Sequence, residues 1–236
     1  MPAMSCSLYN IIPSEVTLEE IRSRLENVRL EDSIEVLGET YVLRTFISDL
    51  RWDMEREVLS GTLSFETLQR VPQISGGMAF TKSGTTIMFS LFHGAIALYL
   101  AVFGNRGEAE KAAGKINYVL TRDEDVPHQV VFNCRISTDV IEQFLANHPH
   151  TKKVVGWKDL NFVGVNKSSL HGGNVDQFGH TRDYDAHGRK SYVMIELHDM
   201  RITVRISDRG IITFYGNITM QDALNWIRNE IISLLP

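Results

Sequence analysis

The sequence predicts an α+β chain of two similar halves, each running strand, helix, a series of antiparallel strands and a long helix. Three observations predict it. The order of apolar strand and helix patterns starts again near residue 125; a glycine hairpin, at Gly94 and again at Gly210, precedes the last helix of each half; and the apolar spacing switches between two and about 3.6 residues in the same succession.

In the first half, Leu8 to Ile12 is an apolar strand ended by Pro13. Thr17 and Glu20 form a capping box, and Leu18, Ile21, Leu25 and Val28 follow at helical spacing. Tyr41 to Ile47 is rich in β-branched and aromatic residues and is predicted as a strand. A segment from Ser48 to Gly76 follows, in which Met54, Val58, Leu63 and Leu68 have a helical spacing. Strands are then predicted at Gly77 to Thr81, Thr85 to Phe92 and Ala95 to Phe103, and a helix from Gly107 to Leu120. Ile87, Phe89 and Leu91 alternate with Met88, Ser90 and Phe92, leaving an apolar outer face suited to a protein partner or a folded-back segment.

A polar linker, Thr121 to Asp125 with Pro127 behind it, separates the halves. The second half opens with a strand at Val130 to Arg135 and a helix capped in Ser137–Asp139. A strand at Lys153 to Trp157 precedes a segment from Lys158 to Lys190. Strands at Tyr192 to Leu197, Arg201 to Ile206 and Ile211 to Tyr215 lead to a last helix opened by Thr219. The expected units are residues 1–124, with an insert at 48–76, and 125–236, with an insert at 158–190.

The stretch Arg201 to Gly216, with its Asp208-Arg209-Gly210 hairpin and the capped helix behind it, resembles a repeat of the TATA-box-binding protein family. Asn133 matches that family's groove-contacting asparagine, and Asn10 is its counterpart in the first half. The resemblance implies two pseudo-repeats of a TATA-box-binding-protein-like unit sharing one curved antiparallel sheet, each carrying a long insert. It also implies a nucleic-acid-binding, transcription-related function with duplex DNA as partner. On that reading Asn10, Asn133, Arg135, Arg201, Thr203 and Arg205 face outward from the sheet, and Trp52 and Trp157 are candidate wedges between bases. Core packing is the competing role for both tryptophans.

Composition bounds these readings. Hydrophobic residues make up 43% and charged residues 22%, the balance of a folded globular chain. A net charge of −5 gives no support to indiscriminate polyanion binding, which rests on neutralising phosphates. The two cysteines, Cys6 and Cys134, match neither a disulfide framework nor a zinc spacing; core thiols in a reducing compartment are expected. The chain opens without a signal-peptide pattern, and the apolar run Thr85 to Phe103 is broken by His93-Gly94. The expectation is therefore an intracellular protein, cytoplasmic or nuclear, without a membrane partner.

The segment 171–187 holds His171, His180, His187, Asp183 and Asp185, side chains able to ligate a metal. Their spacing fits no metal motif, and the surrounding glycine and aspartate content is that of a loop. No phosphate-binding glycine loop, nucleophile elbow or paired-carboxylate motif occurs, and no cofactor is implied. Beside nucleic-acid binding stand two further classes: a protein-interaction or scaffold subunit, and a metal-dependent hydrolase or nuclease built on 171–187.

Overall fold

A computed structural model describes residues 3–12, 17–74, 76–122, 128–149, 152–172, 175 and 179–235. In chain order the elements are β1 (Ala3–Ile11), α1 (Leu18–Leu25), β2 (Arg29–Val36), β3 (Glu39–Asp53), β4 (Val58–Pro72), β5 (Met78–His93), β6 (Leu98–Phe103) and α2 (Arg106–Thr121). There follow β7 (Val131–Asn133), α3 (Thr138–Asn147), β8 (Lys152–Phe162), β9 (Val165–His171), α4 (Gly179–His187), β10 (Arg189–Leu197), β11 (Ile202–Ser207), β12 (Ile211–Tyr215) and α5 (Met220–Trp226). The chain past α5 continues as a π-helical turn, Ile227–Ile231, and a 3-10 turn, Ile232–Leu234.

All twelve strands join one antiparallel sheet in the order β2-β3-β4-β5-β6-β1-β12-β11-β10-β8-β9, with β7 also paired to β1. This overturns the expected pair of TATA-box-binding-protein-like repeats: half of the molecule is strand, in one large sheet with short helices. The reason lies in the two supposed inserts. The span 48–76 is the end of β3 and nearly all of β4, and 158–190 holds the end of β8, all of β9 and α4. Within β4, Leu59, Gly61, Leu63 and Phe65 are buried while Ser60, Thr62 and Ser64 are not, a period of two that overrides the helical spacing. Two smaller expectations also change. Lys82-Ser83-Gly84 interrupts nothing, because β5 runs straight through it, and β2 was not expected. The linker residues 123–127 and the strand-ending Pro13 lie outside the described residues.

The helices start where local chemistry dictates. Thr17 and Glu20 close a reciprocal capping box on α1, and Asn105, Ser137 and Thr219 each accept an amide hydrogen bond at the starts of α2, α3 and α5.

Strand β1 is the centre of the molecule. One edge pairs with β6 along Cys6–Ile11, and the other is shared end to end by β12, over residues 3–7, and β7, over residues 9–11. Its two faces serve different cores. Tyr9 and Ile11 pack with α1, α2 and the first-half strands. Cys6 and Leu8 pack with α3, α5 and the second-half strands. β6 divides the same way, Leu98, Leu100 and Val102 against Tyr99, Ala101 and Phe103. The two helical layers thus cover opposite faces of the sheet. The C-terminal run crosses over the apolar face expected at β5: Phe92 is fully buried, with Arg228 above its ring.

Candidate functional site

At the place where β12 gives way to β7 beside β1, the sheet opens into a cleft of about 550 Å³. Ser7 and Tyr9 of β1 form its floor. Arg106 and Glu110, from the start of α2, stand on one side. Asn133 and Arg135, with Ser137 and Thr138 at the start of α3, stand on another. Lys158, Arg189 and Lys190 enter from β8 and β10, and Asp208 and Arg209 from the hairpin before β12. A smaller hollow of about 300 Å³ adjoins along α2 and shares Tyr9, Glu110 and Asn133.

The backbone is held tightly here. Leu8 N–H donates to the Gly210 carbonyl at 2.9 Å, Cys134 N–H to the Leu8 carbonyl at 3.0 Å, and Ile136 N–H to the Asp208 carbonyl at 3.1 Å. Gly210 has φ +70°, and a Cβ on it would stand 2.4 Å from the Cys134 carbonyl oxygen, so only glycine lets β12 and β7 meet on one edge.

Among the described residues, six basic side chains line the cleft against two carboxylates. Arg106 pairs with Glu110 at 2.7 Å, Lys158 with Asp208, and Arg189 with Asp159 at 2.5 Å. Lys190 is held by Glu142 at 3.0 Å and Asp185 at 2.6 Å. Burial works against the charge of Lys190, but the hydrogen bonds from Asp185 and Glu142 outweigh it and raise its pKa. Arg135 and Arg209 have no ion-pair or hydrogen-bond partner for their side chains among the described residues, and both are exposed.

The Tyr9 hydroxyl is the other unsatisfied group. Tyr9 is 3% exposed, and its hydroxyl makes no hydrogen bond among the described residues. Burial, with Glu110 adding to it, pushes its pKa up to about 12; Ser7, two residues away on the same strand face, acts in the opposite direction without aligning as a partner. The phenol therefore stays protonated and can donate.

The residues singled out from sequence are divided by the fold. Asn133 and Arg135 line the cleft. Asn133 is paired with Tyr9 and shares its face, whereas Asn10, the next residue of β1, lies on the other face with its side-chain oxygen buried and unpartnered. Thr203 and Arg205 point away from the second core, and Arg205 sits over the Tyr192 ring at 4.4 Å. Arg201 precedes β11 in a left-handed conformation, φ +53°, rather than opening the strand. Trp157 is 1% exposed and donates to Asp185 at 2.7 Å, so it belongs to the core. Trp52 is half-buried against the first core.

The metal candidates are likewise dispersed. His171 ends β9 beside Ser169, and His187 packs on Phe162. His180 and Asp183 face each other at 3.8 Å on α4, and Asp185 is taken by Trp157 and Lys190. Among the described residues no group of three metal-ligating side chains forms, and no helix is long and apolar enough to cross a membrane. Cys6 and Cys134 are both free and buried. Sequence reading missed Tyr9, Lys158, Arg189, Lys190 and Arg209 as cleft residues; they come from β1, β8, β10 and the β11–β12 hairpin, far apart in the chain, and carry no shared local pattern.

No protein-family model matches the chain, and no curated protein does. Among solved structures it aligns with the crystal structure of DynU16, a protein in the dynemicin biosynthetic locus, at 11% identity over 98% of this chain and 94% of that one. The TM-score of 0.21 is too low to bear on fold or function.

Proposed function

We propose that this is a binding protein whose ligand is a small anion held in the cleft between β1, α2 and α3. The observation that carries the reading is the pair of unpartnered arginines, Arg135 and Arg209, in a basic cleft on a chain of net charge −5. Local positive charge maintained against the overall sign raises the local concentration of anions and is costly without one. A catalytic reading lacks a nucleophile paired with a base among the groups lining the cleft. Calorimetric titration with inorganic phosphate and citrate tests it. Both should bind in a salt-sensitive way, and Arg135→Ala/Arg209→Ala should weaken them about 30-fold with the circular dichroism spectrum unchanged. No anion binding to the wild type would overturn the reading.

A nucleic-acid ligand is the second reading. It is favoured by Asn133, Thr203 and Arg205 emerging on one sheet face, Asn133 being part of the cleft. Duplex DNA and single-stranded RNA belong in the same titration. Binding that falls with salt and is lost in Arg205→Ala would move the assignment there.

A further inference from the structure

We propose that the anion is a phosphomonoester of a small polyhydroxylated compound, a ligand of the sugar-phosphate class. Its phosphate would sit at the Arg135–Arg209 end and its hydroxyls would point toward Tyr9 and Asn133. This rests on the cleft being an anion site, and it follows from what the cleft leaves unsatisfied.

The number of unpaired donors decides between phosphate and carboxylate. Four of the six basic groups are held by five carboxylates, Glu110, Asp208, Asp159, Glu142 and Asp185, so the cleft with its ion-pair partners is nearly balanced and slightly positive. Arg135 and Arg209 remain as two guanidiniums without a carboxylate among the described residues. A phosphomonoester offers three acceptor oxygens to the two guanidiniums, whereas the two oxygens of a carboxylate are taken up by one of them in a bidentate pair. The start of α3 supplies further donors. Ser137 caps Val140 N–H, while the amides of Thr138 and Asp139 have no acceptor among the described residues. Ser137 and Thr138 line the cleft, so this positive helix end faces it; the Asp139 carboxylate is not part of the wall.

The buried Tyr9 hydroxyl is an independent sign of a ligand. A protonated phenol without an acceptor among the described residues is costly in the empty protein, and a ligand group that displaces its cover at the cleft floor would accept from it. Room and surface then define the rest of the ligand. The main volume of about 550 Å³ with the adjoining 300 Å³ far exceeds a bare phosphate. The walls near Tyr9 are mixed, with Asn133 and Ser7 in the cleft and Asn117 and Gln129 beside Ala113 and Val131 in the hollow. Among the described residues lining the cleft, Tyr9 supplies the aromatic ring and is itself buried, leaving no open face there for stacking a nucleobase.

Isothermal titration with glucose 6-phosphate, gluconate, glucose and adenosine monophosphate tests the inference on the full chain. Glucose 6-phosphate should bind at least about tenfold tighter than gluconate, which has similar size and one carboxylate, and glucose should not bind measurably. Arg135→Ala/Arg209→Ala should weaken the sugar phosphate about 100-fold and erase its advantage over gluconate. Tyr9→Phe should weaken it about fivefold without lowering the melting temperature of the empty protein, because the hydroxyl makes no bond there. Gluconate binding as tightly as glucose 6-phosphate, or the monophosphate nucleotide binding tighter, overturns the sugar-phosphate assignment and leaves the anion site standing. Failure of all these anions, and of inorganic phosphate and citrate, removes the anion site itself.

Discussion

Lys190 is 7% exposed, yet its ammonium is held between Glu142 of α3 and Asp185 of α4. The arrangement fixes one wall of the cleft, and it ties α4 to the sheet because Asp185 also accepts from Trp157. Replacing the lysine by methionine would leave two carboxylates facing a buried methylene chain. Both acids are substantially exposed, so water relieves part of the cost, and a loss of about 2 kcal/mol is expected rather than the full penalty of a broken buried pair. The pKa of Lys190 is raised, so its charged contribution is complete below the ordinary lysine value of 10.5 and disappears only as pH rises through the higher folded value. Urea unfolding of Lys190→Met should show the same deficit at pH 6 and pH 9; a deficit that vanished by pH 9 would contradict the ion triad. None of this was legible locally. Asp185 reads as one of several potential metal ligands in sequence, and only the fold brings it to Trp157 and Lys190.

At the level of elements, signals confined to a few neighbouring residues were readable, and those needing a distant partner were not. The caps at Thr17, Ser137 and Thr219 and the turn at Gly210 depend on residues within one turn of chain. The β3–β4 and β8–β9 hairpins do not. The turn at Asp53–Glu57 is charged and lacks glycine, and the bulges at Asp49 and Asp159 shift the alternation on which a strand reading rests. Gly210 shows how much one junction carries. Gly38, in the β2–β3 turn, has a similar φ of +80° but open space where a Cβ would go, while at Gly210 the Cβ would strike the Cys134 carbonyl. Gly38→Ala should therefore cost only the left-handed strain, about 1 kcal/mol. Gly210→Ala adds displacement of β7 from β1 and should cost about 3 kcal/mol or more. Equal losses in denaturant titrations of the two variants would show that β7 and β12 are not wedged against each other as described. Because β7 carries Asn133 toward the cleft, Gly210→Ala should also weaken anion binding.

Across the whole molecule, the organising fact is that β1 and β6 are apolar on both faces and serve two cores on opposite sides of the sheet. The run Leu8-Tyr9-Asn10-Ile11-Ile12 carried that signal, since a strand covered on both faces reads as nearly continuous apolar sequence. A fold with all helices on one side would have left one face of β1 bare. Because one strand belongs to both cores, loss of either exposes the other, and unfolding should be a single cooperative transition. The same central placement buries groups whose protons matter at high pH. Cys6 and Cys134 lie in the second core, where burial pushes Cys134 up to about 12 from an ordinary 9.0 and raises Cys6 still further. Burial also raises Tyr9 and Tyr99 to about 12 from 10.0. For each group the unfolded chain gives up its proton first, so stability is complete below the unfolded value and declines as pH climbs toward the folded one. The thiols begin this decline near pH 9 and the phenols near pH 10. At about 1.4 kcal/mol per group per pH unit, the two thiols alone should remove about 4 kcal/mol by pH 10.5. Tryptophan fluorescence in urea, under nitrogen to prevent oxidation, should show the wild-type midpoint falling steeply between pH 8.5 and 10.5. Cys6→Ala/Cys134→Ala should start from a lower midpoint, because two packed side chains are truncated, but lose far less of it over that interval. A wild-type midpoint that stayed flat to pH 10.5 would mean that neither thiol is sealed at the junction of β1 with its neighbours.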